Sequence, residues 1–137
     1  MEGELSTPAT GTGSTKAPIC ELENDRGTFI GQTSAGVPHG LGREDFMLPN
    51  GSRAAYVGQF VHGERSGFGV LRGRRHGETY EGAVSGSVPN GEGVFVFPDR
   101  GEGAARVRYE GSVASGRPSG PGLMVWSDGR EETGLFD

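Results

Sequence analysis

The sequence has one cysteine, Cys20, among 137 residues. An intramolecular disulfide is therefore excluded, and a reducing compartment is the simplest setting. No charged-then-apolar leader is recognisable, and Met1-Glu2-Gly3 is not a myristoylation start. No apolar run is long enough to span a bilayer. No segment repeats apolar residues at i, i+3, i+4 and i+7 over three turns, so almost no helix is expected. Lysine stops at Lys16, and from residue 27 onward 13 acids face 11 arginines, a net charge of −2. Such a region is a poor generic binder of nucleic acid or anionic lipid. The default expectation from these absences is a soluble cytoplasmic protein. Apolar residues are also scarce, at 32%, which leaves disorder or an architecture without a deep core.

Glycine is what the chain has in excess. It supplies 27 residues, roughly three times the usual share of about 7%. Residues 1–26 combine Ser, Thr, Pro, Ala and Gly with a net charge of −3. They cannot bury enough apolar surface to offset chain entropy, and a disordered acidic tail is expected there. From residue 27 to 137 the glycines are periodic. An aromatic-x-Gly triplet occurs as Phe29-Ile30-Gly31, Tyr56-Val57-Gly58, Tyr80-Glu81-Gly82 and Tyr109-Glu110-Gly111, with a degenerate copy at Glu132-Thr133-Gly134. The triplets start 27, 24, 29 and 23 residues apart. Each full triplet is followed by a Gly-x-Gly: Gly40-Leu41-Gly42, Gly67-Phe68-Gly69, Gly91-Glu92-Gly93 and Gly120-Pro121-Gly122. Two markers recurring in phase indicate a repeat architecture.

Each unit reads as a hairpin. In the second copy Tyr56, Gly58 and Phe60 share one face of a strand, and Val57, Gln59 and Val61 share the other. Glycine-bearing connectors follow at His62-Gly63, Ser85-Gly86-Ser87 and Ser115-Gly116. Second strands then run through Val70-Leu71, Val94 to Phe97 and Leu123 to Trp126. Pro49-Asn50-Gly51, Pro98-Asp99 and Asp128-Gly129 end them as turns. Glycine weakens a strand interior, so its recurrence needs a cause. The choices are special backbone angles or close approach of a ring. At Gly58, Gly82 and Gly111 the favoured cause is a ring from the adjacent hairpin.

The order aromatic-x-Gly-x-aromatic, a glycine turn, Gly-x-Gly and an apolar strand resembles the MORN (membrane occupation and recognition nexus) repeat. Tyr56 to Gly69 is the nearest copy, and His39-Gly40-Leu41-Gly42 resembles the usual turn exit. The resemblance covers about Thr28 to Asp137, four copies and a fragment. Thr33, Val84 and Val113 depart from the aromatic that usually ends the first strand. Extra residues are expected around Val37-Pro38 and Arg100 to Arg108. The resemblance implies an all-β fold, with antiparallel hairpins stacked into a single elongated twisted sheet. Thr133 to Phe136 would pair with the last hairpin.

Catalytic and ligand motifs are weak. Gly11-Thr12-Gly13-Ser14-Thr15-Lys16 lacks the order of a phosphate loop, and Asn50-Gly51-Ser52 reads as a turn before a glycosylation site. His39, His62 and His76 sit at separate turns without the close pairing a metal site needs. No metal, no cofactor and no enzymatic activity are expected. Tyr56, Tyr80 and Tyr109 are first of all packing residues between repeats. With Phe60, Phe95, Phe97 and Trp126 they are also the expected lining of a groove for a partner peptide or helix. Arg72, Arg74 and Arg75 form the one basic cluster, with Arg106 and Arg108 able to extend it. It is a solvated tip, or a contact for an acidic peptide or a phospholipid headgroup. The resulting expectation is a protein-interaction scaffold, with weak phospholipid binding as the alternative and self-association open. The resemblance implies cytoskeletal, ciliary or membrane-junction settings.

Overall fold

The computed structural model describes residues 19–24, 27–74, 77–98, 101 and 103–137. They form one open sheet of ten strands, each paired antiparallel with its neighbours in chain order, and no α-helix. The strands are β1 (Ile19–Asn24), β2 (Gly27–Ser34), β3 (Val37–Met47), β4 (Arg53–Val61), β5 (Glu64–Arg74), β6 (Glu78–Ser85), β7 (Val88–Val96), β8 (Arg106–Ala114), β9 (Arg117–Trp126) and β10 (Glu131–Phe136). The all-β expectation holds, as does the pairing of the last fragment, whose Gly134 faces Gly122. The disordered tail expected over residues 1–26 contains one described strand. β1 lies within it and pairs with β2, with Leu22 opposite Phe29 and Cys20 opposite Gly31. Residues 1–18 lie outside the described residues.

One face of the sheet holds the core, because period two sends alternate side chains there. Phe29, Tyr56, Phe60, Leu71, Tyr80, Val84, Phe95, Tyr109, Val113 and Met124 form one buried cluster. Thr33, Val84 and Val113 are buried where Phe60 is, so the departures from the aromatic pattern shrink the core side chain without moving it. A flat single layer could not hide rings completely. The sheet therefore curls over this inner face, and side chains meet across an intervening strand. Tyr109 on β8 packs edge-on against Phe136 on β10, with centroids 5.2 Å apart.

The two glycines of each Gly-x-Gly serve different physical needs. In the second hairpin the ladder slips between Gly58 and Phe60, so Ser66, Gly67 and Phe68 oppose Gln59 alone. The extra residues need the left-handed region, and Gly67 has φ +108°. The slip also strands backbone groups, which side chains satisfy. Gln59 Oε1 accepts from the Phe68 N–H at 2.7 Å, and the Tyr56 hydroxyl donates to the Gln59 carbonyl at 2.9 Å. Tyr80 and Tyr109 donate likewise to Ala83 and Ser112, at 2.7 and 2.6 Å. The second glycine, Gly69, makes room for a ring: a β-carbon there would run into the Tyr56 ring. The ring thus comes from the same hairpin, two residues before Gly58. The expected donor, the adjacent hairpin, is corrected by this. A ring that hydrogen-bonds at residue i+3 must lie along its own strand.

Hairpins join their neighbours at the turns as well. Gly63, Ser87 and Gly116 donate their backbone N–H to the carbonyls of Pro38, Arg65 and Pro89 in the preceding hairpin, at 2.8 to 3.0 Å. Val37-Pro38 is therefore no insertion, since it matches Val88-Pro89 and Arg117-Pro118. The extra residues of the first unit are in the turn after β3, where Gly51 N–H bonds the Leu48 carbonyl at 2.8 Å.

Gly69→Ala should destabilise the array by about 1–3 kcal/mol, the usual cost of overpacking. Gly103→Ala, whose β-carbon would meet nothing within 4 Å and whose backbone is not left-handed, should change stability by about 0.5 kcal/mol or less. Urea unfolding of both variants measures the difference.

Candidate functional site

The seven aromatics expected to line a groove divide into two groups. Tyr56, Tyr80 and Tyr109 are 0% exposed, and Phe60 and Phe95 are 2% and 1% exposed. Their rings are consumed by packing on glycine backbone and on one another, as in the Tyr56–Phe60 and Tyr80–Phe95 contacts at 5.2 and 4.8 Å. In the folded array Tyr56, Tyr80, Tyr109 and Phe60 offer an incoming segment no surface, and Phe95 only borders the cleft described below. Phe97 and Trp126 are half-buried and remain reachable. Phe136, which sequence reasoning did not single out, joins them on the inner face.

The inner face differs between its two ends because of two residues. Glu44 stands where the other units carry Leu71, Phe95 and Met124, an apolar core position. Arg65 stands where they carry Pro38, Pro89 and Pro118. The two anomalies meet: Arg65 Nε donates to Glu44 Oε1 at 2.8 Å across β4, with both side chains nearly sealed from solvent. The guanidinium also lies over the Phe46 ring, 3.9 Å from its centroid, and reaches the Ser87 carbonyl at 3.4 Å. This pair fills the inner face over β3–β5.

Beyond it the inner face opens into a cleft of about 290 Å³. Phe95, Phe97, Met124 and Phe136 supply apolar walls, while Glu78, Arg106, Arg117 and Asp137 bring charge of both signs. The Arg106 guanidinium lies 5.5 Å from the Phe97 centroid. Beside this region Trp126 is covered by Arg130, 4.5 Å from its ring. Trp126 Nε1 is buried and has no acceptor among the described residues.

The basic cluster falls only partly within the described residues. Arg72 is exposed, Arg74 ends β5, and Arg75 lies outside the described residues. Arg108 is three strands away and is held by Glu110, with Nε to Oε2 at 2.7 Å. The histidines need a correction too. His39 and His62 belong to neighbouring turns whose rings approach to 5.0 Å, and the His62 N–H donates to His39 Nδ1 at 3.2 Å. Side-by-side stacking of hairpins brings their turns together. Among the described residues no group of three or more His, Cys, Asp or Glu could hold a metal ion, and His76 lies outside them.

A single open sheet of hairpins, with a ring of each unit laid on its own glycines, defines a β-hairpin repeat protein. The MORN repeat family model matches residues 29–47, 56–78, 80–102 and 109–129. The chain belongs to the MORN repeat family. No curated protein matches it. The MORN repeat is a non-catalytic repeat module, generally involved in protein or membrane interactions.

Two outcomes follow from this geometry. Glu44→Leu alone should cost about 3–5 kcal/mol, because it leaves a buried guanidinium without its carboxylate. Glu44→Leu combined with Arg65→Pro, which copies the other units, should recover most of that loss in a double-mutant cycle by thermal unfolding. Burial holds the Tyr56 and Tyr109 hydroxyls above their ordinary pKa of 10.0. A raised folded-state pKa means that this contribution is complete below the unfolded value. It is lost as pH rises through the folded one. Circular dichroism should therefore show cooperative unfolding only above about pH 10, in step with tyrosinate absorbance.

Proposed function

We propose that this chain is a non-enzymatic protein-interaction scaffold whose inner-face cleft takes a peptide or helix of a partner protein. The observation that carries it is the cleft beside Phe97 and Phe136, where partly exposed apolar rings adjoin charge of both signs. Apolar anchors with a polar rim are the anatomy of a protein interface. Arg106 and Arg117 offer donors to partner carbonyls or carboxylates, and Asp137 offers acceptors. The setting we infer is a cytoplasmic assembly attached to the cytoskeleton, a cilium or a membrane junction. That setting rests on the family alone.

Tyrosine substitutions cannot test this reading, since they would remove the core. Phe97→Ser/Phe136→Ser can. Affinity capture with mass spectrometry should recover a protein on the wild-type array that this variant loses, a truncation worth about 2 kcal/mol or more at an interface anchor. Unchanged capture by the variant, with an unfolding transition like the wild type's, would remove the cleft from consideration.

A further inference from the structure

We propose that the outer face is a second docking surface, for an amphipathic segment of another protein that carries aliphatic side chains followed by lysines or arginines. This rests on the reading of the array as a protein-interaction module, but not on the inner cleft.

The outer face has an apolar end and an acidic end. At the first, Ile30, Leu41, Val57 and Phe68 come from four successive strands, β2 to β5, and are 51%, 59%, 43% and 56% exposed. The ladder sets them on diagonals, with Arg43 between Ile30 and Val57 and Gln59 between Leu41 and Phe68. Val57 faces Val70 directly, and Leu41 lies opposite Gln59, whose side chain bonds the Phe68 N–H. Isolated exposed apolar residues are ordinary, whereas a run across adjoining strands marks a contact surface. Arg43, which interrupts the run, is neutralised by Asp45 at 2.8 Å.

The strip ends at Phe68, on the wall of a shallow depression of about 550 Å³. Its other walls are Glu81, Glu92 and Glu110, from β6, β7 and β8, set around Val94. Glu92 accepts from the Ser112 hydroxyl at 2.8 Å, and Arg108 neutralises Glu110. Three carboxylates therefore face one guanidinium. A complementary partner must be apolar at one end and cationic at the other. Nucleic acid and anionic membrane are repelled by this face, and a second copy would bring carboxylates against carboxylates. With strands about 4.8 Å apart, β2 to β8 span about 29 Å. A helix of about 20 residues covers that length.

Two labelled helical peptides of equal length test the proposal: one with a leucine face leading into lysines, the other with glutamates in place of the lysines. Fluorescence polarisation against the whole chain should show binding of the leucine–lysine peptide only. Glu81→Gln/Glu92→Gln/Glu110→Gln should weaken it about tenfold or more and flatten its salt dependence. Val57→Ser/Phe68→Ser should weaken it similarly, while Phe97→Ser/Phe136→Ser should leave it unchanged. All five outer positions are exposed, so these variants keep the fold. Equal binding by the glutamine variant would overturn the proposal, as would loss in the inner-face variant alone. Binding of phosphatidylserine vesicles that disappears with Val57→Ser/Phe68→Ser would also overturn it, by making the surface a lipid contact. Because the two pairs of substitutions lie on opposite faces, failure of the outer surface and failure of the cleft give separate results.

Discussion

A tyrosine ring laid along its own strand, over glycine backbone, is the contact on which the rest of the molecule depends. A single-layer sheet has no second layer to cover its apolar face. The ring supplies that cover locally. It lies over two facing glycines, and its hydroxyl captures the carbonyl left unpaired by a ladder slip. Ring, glycine pair and slip therefore require one another. Larger side chains at the glycines would leave the ring no place, and without the slip its hydroxyl would be buried unpaired, at a cost of about 1–3 kcal/mol. The first unit, with Phe29, keeps the ring and omits the hydroxyl.

The variations between units decide what each face can do. Glu44 and Arg65 put an ion pair where the other hairpins have an apolar side chain and a proline. Replacing both partners is expected to be tolerated, and replacing one is not, because burial makes a lone charge costly. Such a pair adds little net stability over an apolar replacement. It also closes the inner face at one end and leaves the cleft at the other. The outer face is divided at about the same place, apolar before Phe68 and acidic after it. The two faces thus present different chemistry to solvent, although every hairpin follows one plan.

Much of the fold was legible in the sequence, because hairpin repeats advertise themselves. Glycines in phase located the turns, and alternation put Tyr56 and Phe60 on one face and Val57 and Val61 on the other. β1 was not legible: Leu22 is its one residue matching the repeat, and Cys20 replaces the glycine that would have marked it. The Glu44–Arg65 pair could have been found by aligning the units, since each residue is foreign to its column. The candidate site was read less well. Sequence assigned the tyrosines both packing and binding, and only burial separates those roles. Phe136 sits in a fragment too short to show its face. The approach of His39 and His62 depends on how hairpins stack, which spacing along the chain does not encode.

The chain contains three tyrosines, all in the packed row, so their solvent access tests its structural role directly. The measurement is nitration by tetranitromethane, read by mass spectrometry in native buffer and in denaturant. Tyr56, Tyr80 and Tyr109 should be protected together in the folded protein and modified only on unfolding. Modification of any one of them at the unfolded rate, with the sheet intact, would contradict the ring as the cover of the core and return it to the binding surface.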